Sequence, residues 1–171
     1  MLAILIASDH KPLRETLGSI VLSQPLFHLA AVCADPHAAM CIAAAENPHI
    51  ILIDGSTDPL AVIEATKKIV SCSNAGVIAL SRYPDAGFAQ HMIAAGALGY
   101  ITHSTPSQEI IMAVQEVAKD NVYLCRELSV QQQPSPVPTP AAMGWSFPEK
   151  FIRLCRGIPA IHWHRILRFT N

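Results

Sequence analysis

From Leu2 to about Asp120, short uninterrupted apolar runs alternate with longer amphipathic stretches, the pattern of successive βαβ units feeding a parallel sheet. Leu2-Ala3-Ile4-Leu5-Ile6-Ala7, Leu29-Ala30-Ala31-Val32, Ile50-Ile51-Leu52-Ile53, Val77-Ile78-Ala79-Leu80 and Tyr100-Ile101 are the five strand candidates. Runs without polar alternation fit strands that helices cover on both faces. Leu13, Leu17, Ile20 and Val21 recur at helical spacing after Pro12, and Ile110, Val114 and Val117 do so after Thr105-Pro106, so a first and a last helix are predicted there. Ala-rich stretches at roughly 36–46, 59–71 and 85–95, each opening near Pro or Asp, predict three more. The expected fold class is α/β, with a doubly wound five-stranded parallel sheet.

The pattern stops near residue 128. Residues 129–144 hold Gln131-Gln132-Gln133, prolines at every second position from Pro134 to Pro140, and no charge, which predicts an extended linker without a core. The expected organisation is thus a domain over 1–128, a Pro/Gln-rich linker over 129–144 and a short tail over 145–171. Charge sharpens this division: residues 1–128 carry seven Lys or Arg against twelve Asp or Glu, whereas residues 145–171 carry five against one. An acidic body and a basic tail suit different partners.

With 51% apolar and 15% charged residues, the composition is that of a chain able to build a core, not of a disordered one. The apolar run Leu2 to Ala7 is too short for a membrane span and has no basic residues before it, so no membrane association is expected. Cys33, Cys41, Cys72, Cys125 and Cys155 are odd in number and form no Cys-x-x-Cys pair, which favours reduced thiols and a cytoplasmic location. Cys155, His162 and His164 lack the further ligands of a zinc site.

In a doubly wound sheet, chemistry gathers beyond the carboxyl ends of the strands. The first candidate strand ends in Ser8-Asp9, the third in Asp54, the fourth in Ser81, and the fifth leads through Tyr100-Ile101-Thr102 to His103. These residues could place carboxylates, hydroxyls and an imidazole around one crevice. The loop His10-Lys11-Pro12-Leu13 is not a Gly-rich phosphate cradle, which argues against a flavin carrier or an enzyme on this sheet.

Ile4-Leu5-Ile6-Ala7-Ser8-Asp9-His10, Pro48-His49-Ile50-Ile51-Leu52-Ile53-Asp54, Val77-Ile78-Ala79-Leu80-Ser81 and Ala95-Gly96-Ala97-Leu98-Gly99-Tyr100-Ile101 together resemble the receiver domains of two-component response regulators, especially those joined to a LuxR-type DNA-binding domain. The resemblance covers about residues 2–128 and implies strand order 2-1-3-4-5. It implies that Asp54 accepts a phosphoryl group from a sensor histidine kinase in a phosphorelay that controls transcription. Mg²⁺ would be held by Asp9, Asp54 and the backbone carbonyl of Ser56. Ser81 would bond a phosphoryl oxygen, Tyr100 would turn inward behind it, and the domain would pair with itself as a homodimer.

The chain also departs from that family. Ser8 stands where a second adjacent acid is usual, His103 stands where a lysine is almost universal, and Gly55-Ser56-Thr57-Asp58-Pro59 replaces the usual turn after the acceptor. Weakened or lost Mg²⁺ binding is expected. These departures favour an alternative, a pseudo-receiver that keeps the fold as a phosphorylation-independent interaction or dimerisation module. In the tail, Phe147 to Pro159 is similar to the opening helix of a LuxR-type helix-turn-helix domain, but no recognition helix follows, so the tail reads as a truncated or degenerate output module without sequence-specific DNA binding. Arg153, Arg156, Arg165 and Arg168 suit salt-sensitive contacts with phosphates.

Overall fold

The computed structural model describes residues 1–131. Its elements run β1 (Leu2–Ala7), α1 (Lys11–Leu22), β2 (Phe27–Cys33), α2 (Pro36–Glu46), β3 (Ile50–Asp54), α3 (Pro59–Cys72), β4 (Gly76–Ser81), α4 (Ala86–Ala94), β5 (Gly99–Thr102), α5 (Ser107–Val117), β6 (Tyr123–Leu124) and α6 (Arg126–Gln131). The helix starts follow local chemistry. Asp35 accepts from the His37 and Ala38 amides, Asp58 from Ala61 and Asp85 from Phe88, each satisfying donors that the first helical turn leaves unpaired. Pro12, Pro36 and Pro59 occupy first-turn positions whose amides have no helical partner in any case.

The strands form one parallel sheet in the order β2-β1-β3-β4-β5-β6. The expected five-strand order is present, and the sheet is longer by one. Every residue of β3, β4 and β5 is buried, because helices pack against both faces. Burial of Ile4, Leu5, Ile6, Ile50, Ile51, Leu52, Ile53, Val77, Ile78, Ala79 and Leu80 supplies the main hydrophobic driving force. Thr66 of α3 is fully buried as well, and its hydroxyl has no partner among the described residues. On the outer strand β2 the pairing with β1 slips by one residue between Ile4 and Leu5, leaving Ala30 as the extra residue of a bulge.

β6 corrects the expectation of five strands. It pairs parallel to β5, Gly99 opposite Tyr123 and Tyr100 opposite Leu124, and two residues are too few to show any periodicity. Backbone bonds hold it, from Tyr123 N to Leu98 O at 2.8 Å and from Cys125 N to Tyr100 O at 2.9 Å. The Tyr123 hydroxyl donates to Glu109 Oε1 of α5 at 3.0 Å; burial and that carboxylate push the phenol up to about 12. α6 then carries helix through Gln131, so the first three residues of the expected linker are helical. Leu128 and Cys125 are buried and fasten this end to the core. The remainder of the linker and the whole basic tail lie outside the described residues. Among the described residues no helix is long and apolar enough to cross a membrane.

Candidate functional site

Asp54 is the last residue of β3, in the middle of the sheet, and its side chain is only 1% exposed. A carboxylate that deep requires donors, and four are present. Ser8 Oγ at the end of β1 donates to Oδ2 at 2.7 Å. Oδ1 accepts from the Ser56 amide at 3.0 Å, from Ser56 Oγ at 2.5 Å and from His103 Nε2 at 3.1 Å. Burial by itself would push the Asp54 carboxyl up; the bonds from Ser56, Ser8 and His103 outweigh it and hold the group below its ordinary value. Asp54 is therefore a buried, ionised carboxylate at neutral pH.

Each donor is itself held. The Ser8 hydroxyl accepts from the His10 amide at 3.1 Å, and the Ser8 carbonyl accepts from the Arg14 guanidinium of α1 at 2.5 Å. His103 Nε2 lies 3.1 Å from Ser56 Oγ as well as from Asp54. Because a carboxylate only accepts, His103 Nε2 carries the proton in this arrangement. Its ring stacks on His10, with centroids 6.3 Å apart and planes 19° from parallel. The backbone after Asp54 continues the ladder, Gly55 N donating to Leu80 O at 2.9 Å. Gly55 is required there: a Cβ would lie 2.2 Å from the tip of the Phe88 ring of α4. That ring packs edge-on against Tyr100 at 6.1 Å, so the altered loop after the acceptor is built around an aromatic contact.

Ser81 and Tyr100 form a second group beside the first. Ser81 Oγ donates to the Tyr83 carbonyl and lies 2.5 Å from the Tyr100 hydroxyl, which also accepts from the Asp85 amide at 3.2 Å. Tyr100 is fully buried, and burial pushes its phenol up. The inward turn expected of Tyr100 is already its position here, and the Ser81 hydroxyl is engaged with Tyr83 and Tyr100 instead of Asp54. The two groups meet through the backbone, where His103 N donates to Ser81 O at 2.9 Å.

Of the seven residues singled out from sequence, the structure brings Ser8, Asp54, Ser56 and His103 into one network and Ser81 and Tyr100 into the adjoining pair. Asp9 stands apart, exposed and with no hydrogen bond among the described residues. The Ser56 hydroxyl, the His10 ring and the Gly55–Phe88 packing were not foreseen. A hydroxyl two residues beyond a carboxylate is a recognisable local bonding pattern and was the available signal for Ser56; the other two depend on tertiary contacts.

The donor set does not fit the Mg²⁺ expected from the family resemblance. A cation of this kind needs oxygen acceptors turned toward it, whereas both Asp54 oxygens already accept from N–H and O–H donors, three on Oδ1 and Ser8 on Oδ2. Among the described residues, no three His, Cys, Asp or Glu side chains come together to hold a metal ion.

Comparison with known proteins agrees with the geometry. The family model described as the response regulator receiver domain matches residues 4–115. The transcriptional regulatory protein DegU of Brevibacillus brevis is 29% identical over 122 residues, covering 71% of this chain and 52% of that protein. The oxygen regulatory protein NreC of Staphylococcus epidermidis is 27% identical over 128 residues, covering 74% and 59%. The chain thus spans between half and three fifths of the length of these relatives. Among solved structures, a LuxR-family two-component response regulator from Aurantimonas sp. SI85-9A1 superposes with a TM-score of 0.71 at 23% identity, covering 76% of this chain and 94% of that one.

Proposed function

Because this chain belongs to the response regulator receiver domain family, we propose that it is the receiver module of a two-component response regulator and that Asp54 takes a phosphoryl group from a sensor histidine kinase. The observation that carries this reading is the buried, ionised Asp54 carboxylate at the end of the central strand β3, with hydrogen-bond donors on both oxygens. In the transfer, one Asp54 oxygen attacks phosphorus, an O–P bond forms, and the P–N bond to the kinase imidazole breaks, the imidazole leaving with the electron pair. Oδ2 is the oxygen more readily freed, since Ser8 alone bonds it while Oδ1 holds three donors. Those three would stay on Oδ1 as it becomes the carbonyl oxygen of the acyl phosphate, and they would polarise it.

Receivers of this family generally use Mg²⁺ beside the acceptor. The donors already on Asp54 do not suit that ion here, and no step of the proposed transfer runs through it. A second reading, a pseudo-receiver that acts by interaction alone, is favoured by one observation: Ser8 and His103 already complete the bonding of Asp54, and Ser81 is engaged with Tyr100 without any phosphoryl group. Transcriptional control, in keeping with the name of the DegU relative, and homodimer formation belong to the same proposal.

Intact mass after incubation with acetyl phosphate, with Mg²⁺ and with a chelator, tests both readings. Gain of one phosphate, abolished in Asp54→Asn, is the outcome expected of a working receiver. No gain, while a control receiver is labelled in the same tube, selects the pseudo-receiver.

A further inference from the structure

The loop that brings His103 to Asp54 is held from its other side by the C-terminal helix. Thr102 ends β5 and is fully buried. Its hydroxyl lies 3.1 Å from Glu127 Oε2, 2.8 Å from Ser104 Oγ and 3.2 Å from Thr105 Oγ1. Ser104 Oγ in turn donates to Glu127 Oε1 at 3.4 Å, and the Thr102 amide donates to Thr105 Oγ1 at 2.9 Å. The two oxygens of one carboxylate therefore grip the residues on either side of His103, whose ring reaches Asp54 at 3.1 Å.

We propose that Glu127 is a positioning residue for the Asp54 pocket: by gripping Thr102 and Ser104 it sets the approach of His103, so that α6 and the acceptor are coupled through this loop. The functional half of this proposal rests on Asp54 being the acceptor; the coupling itself does not.

The placement of Glu127 carries the argument. Helix α6 is already fastened by Leu128 and Cys125, so the exposed carboxylate is not needed to hold the helix, and water could have satisfied it. Instead it bonds the hydroxyls of the loop. The hold on His103 has two ends, since its amide is fixed to Ser81 O at 2.9 Å while its neighbours are fixed to Glu127. A shift of α6 must then move Thr102 and Ser104, and with them the imidazole. Coupling between sites is reciprocal, so a change at Asp54 must also be felt at α6, where the described residues end and the chain runs on toward its C-terminal segment.

The test is spectroscopic and needs no phosphate. In the full chain at fixed pH, the His103 ring resonance, assigned by its loss in His103→Gln, should move in Glu127→Ala and in Ser104→Ala. It should return toward its original position in Glu127→Gln, which keeps an acceptor oxygen. Conversely, Asp54→Asn should move the amide resonances of Arg126 and Glu127. A His103 resonance unmoved in both Glu127→Ala and Ser104→Ala, with far-UV circular dichroism unchanged, overturns the coupling, as do unmoved α6 amides in Asp54→Asn. Phosphate uptake from acetyl phosphate should fall about tenfold in Glu127→Ala, short of the roughly hundredfold loss that a 1 Å misplacement of a reacting group can bring, and recover in Glu127→Gln. Unchanged uptake in Glu127→Ala overturns the functional half. Wild-type protein that takes up no phosphate removes the acceptor reading, and the resonances then decide the coupling alone.

Discussion

Ser8 donates its hydroxyl to Asp54 Oδ2 at 2.7 Å, so the residue at this position stabilises a carboxylate that an acid there would repel. Ser8→Asp should put two buried carboxylates side by side, raise the Asp54 pKa and lower stability in metal-free buffer. Millimolar Mg²⁺ should restore that stability by supplying the cation that a pair of carboxylates can share. Chemical denaturation with and without Mg²⁺ reads this directly. The wild-type midpoint should hardly respond, and a wild-type response as large as that of Ser8→Asp would disprove the role given to Ser8.

Acid should weaken the fold partly through Asp54. Its folded pKa lies below the unfolded value, near 3.9, so the carboxylate contributes stability that is fully present above that value and is lost as pH falls through the folded pKa. The difference in unfolding free energy between wild type and Asp54→Asn should shrink in favour of the variant as pH falls from about 5 to about 3. A difference that grows on acidification would contradict the sign.

Gly55→Ala should cost about 1–3 kcal/mol, the range for forcing extra atoms into a packed site, because its Cβ would meet the Phe88 ring at 2.2 Å. Shortening the obstacle should relieve the clash: the double variant Gly55→Ala/Phe88→Leu should be more stable than the two separate losses predict. Strict additivity in thermal or chemical denaturation would show that the ring is not what excludes a side chain here.

Thr66→Val should stabilise the protein by about 1 kcal/mol, since the swap removes a buried hydroxyl that has no partner among the described residues while keeping its shape. Loss of stability in an equilibrium denaturation experiment would mean that this hydroxyl is bonded in solution.

The strands were legible because Ile50–Ile53 and Val77–Leu80 are uniform apolar runs, too short for most helices and suited to strands covered on both faces. Pro36 and Pro59 with the preceding Asp35 and Asp58 marked helix starts that the structure uses as caps. β6 escaped because Tyr123-Leu124 is recruited by the backbone of Leu98 and Tyr100, a pairing between residues distant in sequence that leaves no periodic trace. At the site, Asp54, Ser8, Ser56 and His103 could be gathered from the ends of strands and from family likeness. Sequence did not show that Ser8 and His103 would both bond Asp54, that Asp9 would stand outside the network, or that Glu127 would reach Thr102 from 25 residues away. Those facts depend on side-chain direction, which spacing alone does not encode.

The bulge at Ala30 also bears on how copies of this protein behave when crowded. β2 is a seven-residue border strand, Phe27–Cys33, with no Lys, Arg, Asp, Glu or Pro along it, and such a border invites templated stacking by another chain. The one-residue slip against β1 breaks the even spacing of outward amides and carbonyls and adds local twist, while the opposite border is a strand of only two residues. An irregularity on one side and brevity on the other are thus the features of these borders that oppose such stacking, with no Lys, Arg, Asp or Glu on either strand.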